Sequence, residues 1–176
     1  MVRGLDLFRD YFKDYTDKYI LIGGTACDLA MENMGLDFRA TKDLDIVLVL
    51  EALDVQFVNA FRGFIKEGQK VTDDLSIISQ EYLIPLKSRA WLDLCKIKSS
   101  GETIDSKDIK KHKNDVFRLY QILSLDTDIA LPQSIADDMR MFLDKVSDEP
   151  PDLKNLGIRN TSLAEIIGNL KKIYKL

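Results

Sequence analysis

Apolar residues recur at three- and four-residue steps from Leu5 through Phe8 and Phe12, with Leu7, Tyr11 and Tyr15 beside them, and this spacing predicts an amphipathic helix at the start of the chain. The period then changes. Residues 19–22, Tyr-Ile-Leu-Ile, form a short unbroken apolar run that stops on Gly23-Gly24, as a buried strand does. Helical spacing returns over 25–34 through Ala26, Leu29, Ala30 and Met34, and Gly35 supplies a C-terminal stop. Residues 44–50 are continuously apolar after Asp45 and rich in branched side chains, which predicts a central strand covered on both faces. Phe57, Val58, Ala60, Phe61 and Phe64 predict a helix that Gly68 ends, and 75–78 read as a weaker strand.

From there the pattern is helical only. Residues 82–98 carry Leu83, Leu86, Ala90, Leu94 and Ile97 at helical spacing, with Pro85 placed in the first turn. Ser106 is the expected N-cap of a helix over 107–123, whose inner face would be Ile109, Val116, Leu119, Tyr120 and Leu123. Pro132 opens a helix over 133–146, Glu149-Pro150-Pro151-Asp152 reads as a linker, and Ser162 to Glu165 forms a capping box ahead of a closing helix. The order predicts an α+β protein: an α/β-type core over 1–80 with a small mixed sheet of about three strands flanked by helices, then a helical bundle over 81–176. A sheet that small leaves an edge to be covered, by a dimer partner or by the C-terminal helices.

Composition narrows the class without fixing it. The chain has 176 residues, 25 basic against 29 acidic, so it is not a nucleic-acid-coating protein by charge. Cys27 and Cys95 lack any CxxC spacing and read as reduced core cysteines. No apolar run reaches the length of a membrane span and nothing near Met1 resembles a signal peptide, so the expected location is the cytoplasm, away from membranes. His112 is the only histidine, which excludes a histidine-based triad, and it stands among Lys107, Lys110, Lys111, Lys113 and Arg118 on a predicted solvated helix face or local basic patch. Trp91 falls on an apolar stripe and reads as core.

Chemistry concentrates at two places. Side chains alternate along a strand, so Asp43 and Asp45 project to one side, two residue rises apart. Two such carboxylates at the head of an apolar run are costly without a cation, and a hard ion such as Mg²⁺ takes oxygen ligands from both. Gly23 and Gly24 let a phosphate approach the backbone, and the helix starting near Thr25 turns free N–H groups and its positive end outward. Arg39 and Lys42 add cations just before the aspartates.

The combination of an apolar strand, Gly23-Gly24-Thr25, a helix and then Arg39-Ala-Thr-Lys-Asp43-Leu-Asp45-Ile resembles the nucleotidyltransferase fold, and within it the AbiEii/AbiGii toxin-like proteins. The resemblance covers about residues 15–125, continuing through Ile84-Pro-Leu-Lys87 and through Asp105-Ser-Lys-Asp108 to Asp115-Val116. It implies a transferase in which Asp43 and Asp45 hold Mg²⁺, Gly23, Gly24 and Thr25 seat a nucleoside triphosphate, and Lys87 and Asp108 of the helical half also act in catalysis. It implies as acceptor an RNA such as tRNA, or a protein, and as partner an antitoxin. Members of this fold bring a third acid from a later strand, and here the choices are Asp73, Asp74 and Asp93, none of them inside an apolar strand pattern. The alternative is an impaired relative that binds nucleotide or a partner protein without turnover.

Overall fold

The structure, a computed structural model, describes the backbone of residues 2–48 and 56–176, and the side chains of all of these except 56–60. The predicted strand positions Val49 and Leu50 and the helix positions Phe57, Val58 and Ala60 therefore fall wholly or in their side chains outside the described residues. The chain is α+β and divides into two compact units, 1–83 and 84–176, the division falling within one long helix.

The first unit holds helix α1 (Leu5–Phe12) with a short 3₁₀ turn after it, strand β1 (Tyr19–Ile22), helix α2 (Gly23–Glu32), strand β2 (Asp45–Leu48), helix α3 (Gln56–Glu67) and strands β3 (Gln69–Thr72) and β4 (Leu75–Ile78). The sheet is mixed, in the order β2-β1-β4-β3: β1 pairs antiparallel with β2 and parallel with β4, and β3 pairs antiparallel with β4. The core lies on β1 and β4, where Tyr19, Ile20, Leu21, Leu75, Ile77 and Ile78 are all buried. Phe8 meets the Tyr19 ring edge-on at 5.0 Å, which seats α1 against the sheet.

Two predictions about the sheet need correction. The 44–50 strand is not central: β2 pairs only with β1 among the described strands, and its Ile46 and Leu48 are exposed. Continuous apolarity misled because the run continues into residues beyond Leu48, while the paired part begins at Asp45. Among the described residues the sheet also has four strands rather than three. The sequence Gln-Lys-Val-Thr of β3 is too polar to announce a strand, and it joins because an adjacent turn folds it onto β4.

That turn consists of Asp73 and Asp74, both in the left-handed region (φ 48° and 59°), between the paired residues Thr72 and Leu75. Positive φ at both central residues of a two-residue loop defines a type I′ hairpin turn. Replacing the pair by Asn-Gly removes left-handed strain and should stabilise the protein by about 0.5–1 kcal/mol, read as an upward shift of the urea midpoint at unchanged slope.

The second unit begins within α4 (Gln80–Ser99) and continues with α5 (Ser106–Tyr120), α6 (Gln133–Asp148) and α7 (Leu163–Ile173). Because α4 starts at Gln80, Pro85 lies in its second turn rather than its first. The cap of α5 is Asp105, which accepts from the Lys107 N–H at 2.8 Å, and not Ser106. Ser162 caps α7 as expected, accepting from the Glu165 N–H at 3.2 Å. Val116, Phe117, Leu119, Met139, Phe142, Ile166 and Leu170 form the buried centre, with Trp91 edge-on to Phe142 at 5.4 Å.

Candidate functional site

Antiparallel pairing of β1 with β2 sets Ile22 opposite Asp45, so the two segments singled out in the sequence meet at one end of the sheet. Helix α2 starts directly at Gly23, with Ile22 as its N-cap and no side-chain cap, so its first-turn N–H groups have no capping side chain. Gly23 stands at φ +67°, and a Cβ there would run into the Asp45 carboxylate, whose Cγ lies only 2.7 Å from that position. The carboxylate thus lies against the positive end of α2, where its charge is favoured.

Gly24 is approached as closely. A Cβ on it would meet the Thr41 side chain, with Cβ at 3.2 Å, and would lie 3.9 Å from Arg39 Nη2. The Arg39 guanidinium leans on the Phe38 ring, 5.1 Å from its centroid. Thr25 is fully buried and its hydroxyl donates to the Asp43 carbonyl at 2.8 Å. Its hydroxyl therefore holds the loop that carries Asp43. Asp43, Lys42 and Asp45 are exposed. Thr41 is the residue the sequence reading missed, since a threonine in an irregular loop carries no periodic signal.

The residues fit a hard divalent cation in donor chemistry: two exposed carboxylates in and beside a cation-bearing loop, Asp45 against a helix N-terminus. They do not supply a third carboxylate. No cluster of three metal-ligating side chains occurs among the described residues. Asp73 and Asp74 stand at the other end of the sheet: β1 and β4 are parallel with Leu21 beside Ile77, so the turn before Leu75 lies past Tyr19. The Asp74 charge accordingly acts on the Tyr19 phenol, whose pKa burial raises first and Asp74 raises further. That turn is about four residue rises, or ~13 Å, along the strands from Ile22. Asp93 pairs with Arg89 one helical turn away on α4, at 2.9 Å.

In the helical unit Lys87 is buried and pairs with Asp115, itself without exposed surface, at 3.3 Å, and Arg118 adds a second contact to Asp115 at 3.5 Å. Asp108, the acid expected to accompany Lys87, is exposed in the first turn of α5 and pairs with Lys111 at 2.9 Å. The basic cluster is likewise divided: Lys107 and Lys110 face solvent, His112 is half-buried, and Lys113 turns inward to Glu149 at 2.9 Å. No family model, no curated protein and no solved structure matches this chain significantly.

Two stability experiments follow from these contacts. Gly23→Ala should cost about 2–4 kcal/mol, from left-handed strain plus the collision with Asp45, and adding Asp45→Ala should return about 1 kcal/mol of it in a double-mutant cycle read by urea unfolding. Lys87→Ala leaves a buried carboxylate under-compensated and should cost about 3–5 kcal/mol, while Asp108→Ala should cost no more than about 0.5–1 kcal/mol.

Proposed function

We propose that the chain is a Mg²⁺-dependent nucleotidyltransferase that moves a nucleotide from a nucleoside triphosphate to an RNA or protein hydroxyl, in the cytoplasm, as the toxin of a toxin–antitoxin or phage-defence pair. The observation that carries this reading is the meeting of Gly23-Gly24 with Asp43 and Asp45, through the Ile22–Asp45 pairing and the Thr25–Asp43 bond. No helix among the described residues is long and apolar enough to cross a membrane.

The roles follow from placement. The first-turn N–H groups of α2 and the cations of Arg39 and Lys42 hold the triphosphate. Asp43 and Asp45 would hold the metal, which when bound neutralises the phosphate charge and the departing pyrophosphate. The acceptor oxygen bonds to the α-phosphorus, the bond to the bridging oxygen breaks, and the hydroxyl proton leaves to solvent. Thr25 positions Asp43, and Thr41 sets how closely a phosphate can approach Gly24. Lys87 enters as a structural ion pair with Asp115.

A second reading, an impaired relative that binds nucleotide without turnover, has its own support: all three acids that could complete the metal site lie elsewhere or in another pairing. One experiment separates the two. With radiolabelled triphosphates and Mg²⁺, label should pass to an RNA or protein acceptor, and Asp43→Ala or Asp45→Ala should each reduce transfer on the order of 10²-fold or more. Transfer that survives both substitutions overturns the proposal. Saturable nucleotide binding with no product under any divalent metal establishes the second reading instead.

A further inference from the structure

The segment Glu149-Pro150-Pro151-Asp152 looks like a linker in sequence, yet it is one wall of a cleft of about 730 Å³ in the helical unit, the other walls being α4 and α5. Lys113 fixes this wall. Its ammonium donates to the Glu149 carbonyl at 2.9 Å, pairs with the Glu149 carboxylate at 2.9 Å, and lies 5.8 Å from the centre of the Trp91 ring. Asp152 is engaged as well, accepting from the backbone and side chain of Asn155 at 3.1 and 2.6 Å. A volume of this size is within the range of small-molecule sites, which are characteristically apolar with a few polar groups.

Apolar lining comes from Trp91, Ile109, Pro150 and Pro151. The charges are unequal. Glu149 is neutralised by Lys113, while Asp152 keeps its charge with only the neutral Asn155 as partner; against it stand two exposed lining lysines, Lys98 and Lys110, that pair with no carboxylate among the described residues, Lys98 reaching only the Ser106 hydroxyl at 3.4 Å, so the lining is net positive. Cys95 adds no negative charge, because burial, with the Glu149 charge second, raises its thiol pKa above the usual range. Two lining residues also hold a buried polar atom without a hydrogen-bond partner, Trp91 Nε1 and Asn114 Oδ1. Both atoms lie beneath the surface with essentially no accessible area, so they mark an incompletely satisfied floor under the cleft and not a direct contact for a ligand.

We propose that this cleft binds a small aromatic anion, its flat apolar body against Ile109 and Pro150, close to the buried Trp91 and Pro151, and its carboxylate or phosphate toward Lys98 and Lys110. The assignment does not depend on the Gly23–Asp45 site, none of whose residues it uses.

Trp91 is the only tryptophan in the chain, so a single indole N–H resonance in a ¹⁵N-correlated NMR spectrum of the full chain reports on the cleft. The probes are 2-naphthoate and its neutral isostere 2-naphthamide. Naphthoate should move the Trp91 resonance saturably, and naphthamide should bind about five- to tenfold more weakly, the effect of two partly screened cations. The Lys98→Ala/Lys110→Ala variant should bring naphthoate down to the naphthamide level while the remaining spectrum confirms an intact fold. Absence of saturable movement up to about 5 mM naphthoate overturns the proposal. Equal affinity for the two probes, or an affinity unchanged in the double variant, overturns the anion assignment and with it the proposal.

Discussion

The pairing of Ile22 with Asp45 is the constraint on which the first unit turns. Because side chains alternate along a strand, slipping β2 by one residue would send the Asp45 carboxylate to the opposite face and put Leu44 or Ile46 at the helix start. Gly23 is glycine for two reasons that both follow from this register: its φ of +67° disfavours any other residue, and the Asp45 carboxylate occupies the space of a side chain. The Thr25 hydroxyl then bonds the Asp43 carbonyl from the first turn of the same helix, fixing the register at a second point. The bend out of β1, the start of α2 and the entry into β2 are therefore one arrangement, and a change in any of them displaces the others.

How much of this was legible depended on range. Strands β1 and β4 and the helices after Gly68 declare themselves by local periodicity, and the Gly-Gly and Asp-x-Asp segments could be placed together by their chemistry, although twelve residues, 33–44, separate α2 from β2. β3 was illegible because Gln-Lys-Val-Thr has no strand signature and Asp-Asp is a weaker hairpin signal than Asn-Gly. The edge position of β2 was hidden for a related reason, since apolar continuity reports composition and not the number of neighbouring strands. Thr41 was invisible because close approach to Gly24 is a property of the folded loop.

In the helical unit the difficulty was rotational and axial. Asp108 and Asp115 are seven residues apart on α5, two turns along nearly the same stripe, so periodicity assigns both to one face and cannot say which lies deeper. Asp108 is in the exposed first turn, where an acid suits the helix end, and Asp115 is two turns further in, where burial makes a partner obligatory and Lys87 and Arg118 supply it. Lys113 is the same lesson with the sign reversed. A lysine inside a run of lysines is turned inward, and its burial becomes tolerable because Glu149 meets it with both a carbonyl and a carboxylate.

The missing third acid follows from strand direction. Since β4 runs parallel to β1, the end of β4 beside Gly23 is the one that closes on Ile78 and Ser79, while its two aspartates precede Leu75 at the far end. A carboxylate reaching the Asp43–Asp45 end from this strand would have to stand near Ser79, and the residues there are Ile78, Ser79 and Gln80. Two carboxylates in a segment that also carries Arg39 and Lys42 leave its formal charge at zero, unlike a three-acid site, which attracts a cation unaided. On the proposed function, Mg²⁺ then has too few protein oxygens to be held alone and enough to be held once phosphate oxygens fill the rest of its shell. Metal and triphosphate would bind as one unit, with the helix start and the cations gripping the phosphates while the two aspartates grip the ion.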